Sequence, residues 1–147
     1  MRIDVCAQET AIKLAAEAKD RISIISITSK GEADVVFPNN PNIVSVLHLK
    51  FNDLMDEFDE EGIPYGRPLP SPDDFAGLRD FAAGLRCERL IVHCWEGRSR
   101  SAAVAKAVYE FLGSQGSLYA QGGLFSPNPL VYALARRELG LEEEWRF

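Results

Sequence analysis

The chain has 147 residues, of which 46% are apolar and 26% charged, and this suits a single soluble domain with a core of its own. A net charge of −6 without any basic stripe excludes a surface built to hold nucleic acid, and no apolar run is long enough to cross a bilayer. Met1-Arg2-Ile3-Asp4-Val5-Cys6 lacks the basic start and long apolar stretch of a secretory signal, so a cytoplasmic protein without a membrane partner is expected.

In chain order, Ile3 to Cys6 reads as a short strand, and Gln8 to Lys19 sets Ala11, Ile12, Leu14, Ala15 and Ala18 at helical spacing. Arg21 to Thr28 alternates isoleucine with serine or threonine and predicts a strand, closed by the turn Ser29-Lys30-Gly31. After a break at Pro38-Asn39-Asn40-Pro41, the Val, Ile and Leu of Ile43 to Phe51 predict a buried strand. Asn52 to Asp74 carries an acidic cluster, Gly62, Gly66 and Pro64, Pro68, Pro70 and Pro72, a long connection of the kind that makes lids and binding loops. Ser71 reads as a helix N-cap, with Pro72 at the first helical position and Asp73 and Asp74 in the first turn, and this helix should run to about Leu85. Glu88 to Cys94 is the next strand and Ser99 to Leu112 the next helix, stopped at Gly113. Ser114 to Pro127 reads as a glycine-containing loop, and a last helix runs from about Asn128 to Leu139. The acidic tail, ending in Trp145 and Phe147, either docks on the domain or meets a partner.

Strands alternating with helices predict one α/β domain over residues 1–147, a mostly parallel central sheet flanked by helices. Such sheets bind ligands beyond the carboxyl ends of their strands, and both Cys94 and Asn52-Asp53 fall at such ends.

The densest chemistry lies in His93-Cys94-Trp95-Glu96-Gly97-Arg98-Ser99-Arg100-Ser101, between that strand and its helix. A cysteine reacts as its thiolate, which the exposed N–H groups and dipole of a following helix stabilise, so Cys94 should have a depressed pKa. The N–H groups of Trp95, Glu96, Gly97, Arg98, Ser99 and Arg100 can turn inward and grip the oxygens of a tetrahedral anion. Gly97 lets the loop curl, and Arg100 supplies a planar fork for two oxygens, which lysine cannot do. Ser101 can hydrogen-bond the sulfur, and His93 can hold the cysteine's geometry by donating to loop backbone. These residue types suit attack on a phosphate ester in two steps, through a phosphocysteine that water then hydrolyses. The departing oxygen needs a proton, and loop 52–61 offers Asp53, Asp56, Glu57, Asp59, Glu60 and Glu61. Asp53 is the choice because it lies closest to the strand's carboxyl end, and acidic neighbours would favour its protonated form.

Cys6 and Cys87 read as small buried residues, with the added option that Cys87 traps an oxidised Cys94 as a disulfide. Three cysteines without C-x-x-C spacing and two histidines give no pattern for a metal centre, and neither metal nor cofactor is expected. The expected partner is a phosphorylated protein or a small phosphate ester. The alternatives are a phosphate-binding adaptor that does not turn over, and a phosphatase for a lipid or nucleotide phosphate.

HCWEGRSRS resembles the active-site signature of the cysteine-dependent protein phosphatases, the tyrosine and dual-specificity families. LKFND (Leu49 to Asp53) is similar to the dual-specificity stretch whose Asp is the general acid, and SPNPLVYALARRELG (Ser126 to Gly140) to the late helix after a Pro-Asn pair in small bacterial members. The resemblance spans roughly residues 43–140. It implies Cys94 as nucleophile, Arg100 as phosphate clamp, Ser101 as the hydroxyl that assists the thiolate, Asp53 as general acid, protein phosphotyrosine as substrate and a parallel-centred sheet flanked by helices. The stretch between Asp53 and Cys94 is longer than in compact dual-specificity members, and no counterpart of the tyrosine-recognition loop of the larger enzymes is present. Low-molecular-weight phosphatases and arsenate reductases carry C-x5-R near the N-terminus, unlike this chain.

Overall fold

Alternation in the segment Ile22–Thr28 (β2) sends Ile22 and Ile24 to one face of a sheet and Ile25 and Ile27 to the other, and all seven residues are buried. A strand covered on both faces belongs to the middle of a parallel sheet, where crossover helices lie on either side. The computed structural model, which describes residues 1–141, has that architecture. The acidic tail with Trp145 and Phe147 lies outside the described residues.

Among the described residues the other strands are Arg2–Ala7 (β1), Ile43–Lys50 (β3), Arg89–Cys94 (β4) and Ser117–Ala120 (β5). They form one sheet in the order β3-β2-β4-β1-β5, with every pairing parallel. The helices are Gln8–Glu17 (α1), Leu78–Ala83 (α2), Arg100–Phe111 (α3) and Pro129–Glu138 (α4), so the α/β fold read from the sequence is the fold observed. Buried residues of α2, α3 and α4 pack on the face that carries Val5, Ile25, Leu90, Val92 and Cys94. Ala11 and Ala15 of α1 cover the opposite face, with Cys6, Ile24 and Ile91. Among the described residues no helix is long and apolar enough to cross a membrane.

Because all strands run the same way, their carboxyl ends share one rim. Register fixes which ends meet: Ala7 of β1 lies beside Cys94 of β4, and Ser26 of β2 beside His93. The period of two then points Cys94 toward α3 and His93 toward α1.

Several elements differ from the sequence expectation. β3 is an edge strand, not a buried one, and Val44 is 40% exposed, because no strand pairs with its outer side. The expected helix from Ser71 to Leu85 is broken in two. Ser71 does cap its start, with its N–H donating to Asp74 Oδ2 at 2.9 Å, but only a 3₁₀ turn over Pro72–Phe75 follows. Gly77 then takes φ 90°, a left-handed conformation that ends one helical path and opens α2. The loop expected over Ser114 to Pro127 contains β5, a four-residue edge strand next to β1, and a 3₁₀ turn over Gln121–Gly123.

Candidate active site

Cys94 ends β4 and Arg100 begins α3, so the loop between them sits at the N-terminus of a helix whose first N–H groups lack intrahelical partners. The loop's carbonyls are turned outward onto neighbouring segments. Trp95 O accepts from the Gln8 N–H at 3.3 Å, Arg98 O from Ser126 at 2.8 Å, and Ser99 O from Asn128 at 3.2 Å. Among the described residues the N–H groups of Trp95 to Ser99 donate to no backbone oxygen, and that of Arg98 donates to the Cys94 sulfur. Gly97 makes this curl possible. It takes φ 70°, and a Cβ built on it would fall 2.1 Å from the Cys6 carbonyl carbon and 2.2 Å from the Ala7 nitrogen. The loop is thus pressed against the carboxyl end of β1 at the one residue without a side chain.

Cys94 is 3% exposed, and its Sγ lies 3.2 Å from Ser101 Oγ. Burial alone would push this thiol up. The Ser101 hydroxyl, the N–H groups of Ser101 and Arg98 and the Arg100 charge outweigh that, and the pKa lies below the ordinary thiol value. Arg100 is itself buried, at 7% exposure. Its Nη1 donates to Ser29 Oγ at 2.9 Å and to the Phe51 carbonyl at 3.1 Å, at the carboxyl ends of β2 and β3. Phe51 is held by stacking on Phe75, with ring centroids 4.7 Å apart. Arg100 Nε is buried and has no hydrogen-bond partner among the described residues. An unpaired, charged N–H in a protein interior costs on the order of 1–3 kcal/mol or more unless a ligand completes it.

Cys94 and Arg100 line a cavity of about 360 Å³ together with Asp53, Trp95, Glu96, Arg98 and Ser99. Those residues were all singled out from the sequence, and the structure brings them to one place. Ser29, Arg67 and Ser126 complete the lining and were missed. Arg67 is carried there by a long loop whose base is tied by Asn52 Nδ2 to the Pro68 carbonyl at 3.1 Å. Asp53 Oδ1 accepts from Ser99 Oγ at 2.9 Å and from Asn128 Nδ2 at 2.8 Å. The expected acidic surroundings of Asp53 are not what its hydrogen bonds show. Asp56 Oδ1 accepts from the Glu57 N–H, and Asp59 Oδ1 from those of Glu61 and Ile63, so these carboxylates serve turns of their own loop.

His93 lies at the strand end beside the loop, between two hydrogen-bond partners. Nε2 is 2.7 Å from Ser26 Oγ, and Nδ1 is 3.4 Å from the Cys94 carbonyl oxygen. Burial pushes its pKa down to about 4, against the hydrogen bond to the Cys94 carbonyl and with help from the charges of His48 and Arg100. The ring is therefore neutral near pH 7, with Nδ1–H the donor to Cys94 and the Ser26 hydroxyl the donor to Nε2. Cys6, on the other face of the sheet, is an inert thiol pushed up to about 12 by burial and then by Asp4. Cys87 precedes β4 by two residues at its amino end, and β4 carries the chain about 16 Å from Arg89 to Cys94, too far for Cys87 to reach Cys94 in a disulfide. Among the described residues no group of three or more His, Cys, Asp or Glu is placed to hold a metal ion.

Set against known proteins, the chain matches no family model, and no curated protein and no solved structure is significantly similar to it.

Two expectations follow. Between pH 6.5 and pH 4 unfolded His93 binds a proton that the folded ring refuses, so acid favours unfolding; the loss reaches about 3 kcal/mol by pH 4 and vanishes above pH 6.5. Urea unfolding across this range should show the wild type losing that much more stability than His93→Gln, and equal slopes would contradict the buried neutral ring. Gly97→Ala should drive the loop off β1 and change the rate at which iodoacetamide alkylates Cys94, whereas an unchanged rate would contradict the close approach.

Proposed function

We propose that the chain hydrolyses phosphate monoesters, with protein phosphotyrosine as the substrate class, through a phosphocysteine on Cys94. The observation that carries this reading is the buried Arg100 guanidinium, which lines the same cavity as a sulfur with a lowered pKa and whose Nε has no hydrogen-bond partner among the described residues. A dianionic phosphoryl group supplies the acceptors that Nε and the free loop N–H groups lack.

In the first step the Cys94 thiolate attacks phosphorus, the P–O bond to the leaving group breaks, and Asp53 gives its proton to the departing oxygen. In the second, the Asp53 carboxylate takes a proton from water, the water oxygen bonds to phosphorus, and the P–S bond breaks to return the thiolate. The Ser101 hydroxyl donates to the sulfur as it leaves. Arg100 and the loop N–H groups hold the equatorial oxygens through both steps, and they are worth most where charge spreads over those oxygens. Trp95, 67% exposed on the lining of the cavity, offers an aromatic face to an aryl ester, which favours a tyrosine phosphate over an alkyl one. The reading makes the chain a small relative of the tyrosine and dual-specificity phosphatases, and a cytoplasmic location is part of that proposal.

Cys94→Ser should lower hydrolysis of an aryl phosphate by roughly 10^3-fold or more, and unchanged turnover would remove the nucleophile assignment. A panel of phosphotyrosine peptides, inositol phosphates and nucleotides then tests the substrate class, the peptides being expected to show the highest kcat/KM. Phosphopeptide binding without phosphate release would instead mark an adaptor. Iodoacetamide should modify Cys94 with a pH midpoint below the usual thiol value of about 8.5, and Ser101→Ala should move that midpoint up, since it removes the largest interaction that lowers it. A midpoint unmoved by Ser101→Ala would contradict the hydroxyl's role.

A further inference from the structure

Asn128 stands far in sequence from the cysteine loop, yet all its hydrogen-bonding groups are engaged at the site or at the helix behind it. It is 3% exposed. Its side-chain Oδ1 accepts from the N–H groups of Leu130 at 3.0 Å and Val131 at 3.1 Å, which caps α4. Its Nδ2 donates to Asp53 Oδ1 at 2.8 Å and to the Leu54 carbonyl at 3.2 Å. Its own N–H donates to the Ser99 carbonyl at 3.2 Å. These partners fix the orientation of the amide. A flipped side chain would set NH₂ against the helix N–H groups and oxygen against the Leu54 carbonyl, opposing donor with donor and acceptor with acceptor.

The consequence falls on Asp53. Its Oδ1 accepts from Ser99 Oγ and from Asn128 Nδ2, and two donors occupy the two lone pairs that a carbonyl-type oxygen presents. While Ser99 and Asn128 both donate to Oδ1, a proton on this carboxyl sits on Oδ2, which has no hydrogen-bond partner among the described residues. We propose that Asn128 is a positioning residue that, with Ser99, confines the transferable proton of Asp53 to Oδ2 and so fixes which oxygen gives and takes it. The inference rests on the proposed hydrolysis. Both donors serve Oδ1 equally when Asp53 is ionised, so the carboxyl passes from acid to base without turning over between the two steps. The charged and titratable groups facing Asp53 from the phosphate cavity are Cys94, Glu96, Arg67, Arg98 and Arg100. On its other side, in a cavity of about 250 Å³, they are Asp56 and Tyr65.

A helix cap alone would need only the oxygen of Asn128, and aspartate or serine caps as well as asparagine. The test therefore compares N128D and N128S with wild type on phenyl phosphate, a poor leaving group, and nitrophenyl phosphate, a good one, over a full pH range. N128D keeps the cap but sets a second carboxyl against Asp53. The pair then shares one proton, and the alkaline limb of kcat/KM moves up by about one unit or more. N128S should keep KM while kcat on phenyl phosphate falls roughly 10-fold and on nitrophenyl phosphate by less than about 2-fold. Superimposable pH profiles for N128D and wild type, or equal losses on both substrates in N128S, would reduce Asn128 to a cap and overturn the inference while leaving the hydrolysis intact. Turnover that survives Cys94→Ser would overturn both.

Discussion

A guanidinium at 7% exposure with one N–H left unpaired is an arrangement that folding alone does not favour. The rest of the rim is organised around keeping it there. Ser29, after β2, and the Phe51 carbonyl, after β3, bind the same Nη1, which turns the fork and leaves Nε for something else. Phe51 cannot drift, because it is fully buried and stacked on Phe75 of the 3₁₀ turn. The ends of two strands thus orient a charge that a third strand and its helix carry, and a parallel sheet is the architecture that brings three such ends together.

The sulfur is placed with the same economy. Cys94 points toward α3 because His93 points toward α1, and His93 is locked there by Ser26 and by its own contact with the Cys94 carbonyl. Burial opposes the thiolate, yet Ser101, two N–H groups and Arg100 reverse the balance. Each belongs to the loop or first turn that Gly97 allows to press on β1, so one small residue stands behind both the curvature of the cradle and the state of the Cys94 thiol.

Much of this was legible in the chain because the cysteine loop is contiguous: Cys94, Gly97, Arg100 and Ser101 announce their joint geometry by spacing alone, between a strand and a helix that periodicity defines. Asp53 was legible for a different reason, its position just past an apolar strand. Ser29, Arg67, Ser126 and Asn128 were not, since they come from separate segments that only the strand order unites. Asn128 carried a partial signal, an asparagine before a proline at a helix start, but that pattern predicts a cap and says nothing of the carboxyl on its other side. The broken helix after Ser71 had its signal in Gly77, which the cap and first-turn acids outweighed. β5 is four residues long between glycines, too short for period-two alternation to stand out, and β3 reads as buried because composition reports hydrophobicity, not whether a neighbour pairs on both sides.

In the proposed reaction a phosphoryl group resides for a time on sulfur, and catching it there is the most direct measurement. Acid-quenched wild-type protein, stopped during turnover of nitrophenyl phosphate and mapped by mass spectrometry, should carry one phosphoryl group on Cys94, and, since nitrophenolate leaves without a proton, the adduct should accumulate when Asp53 is replaced by asparagine and water loses its base. Steady release of phosphate with no adduct on Cys94, or an adduct on another residue, would contradict the convergence of thiolate and guanidinium on one phosphorus.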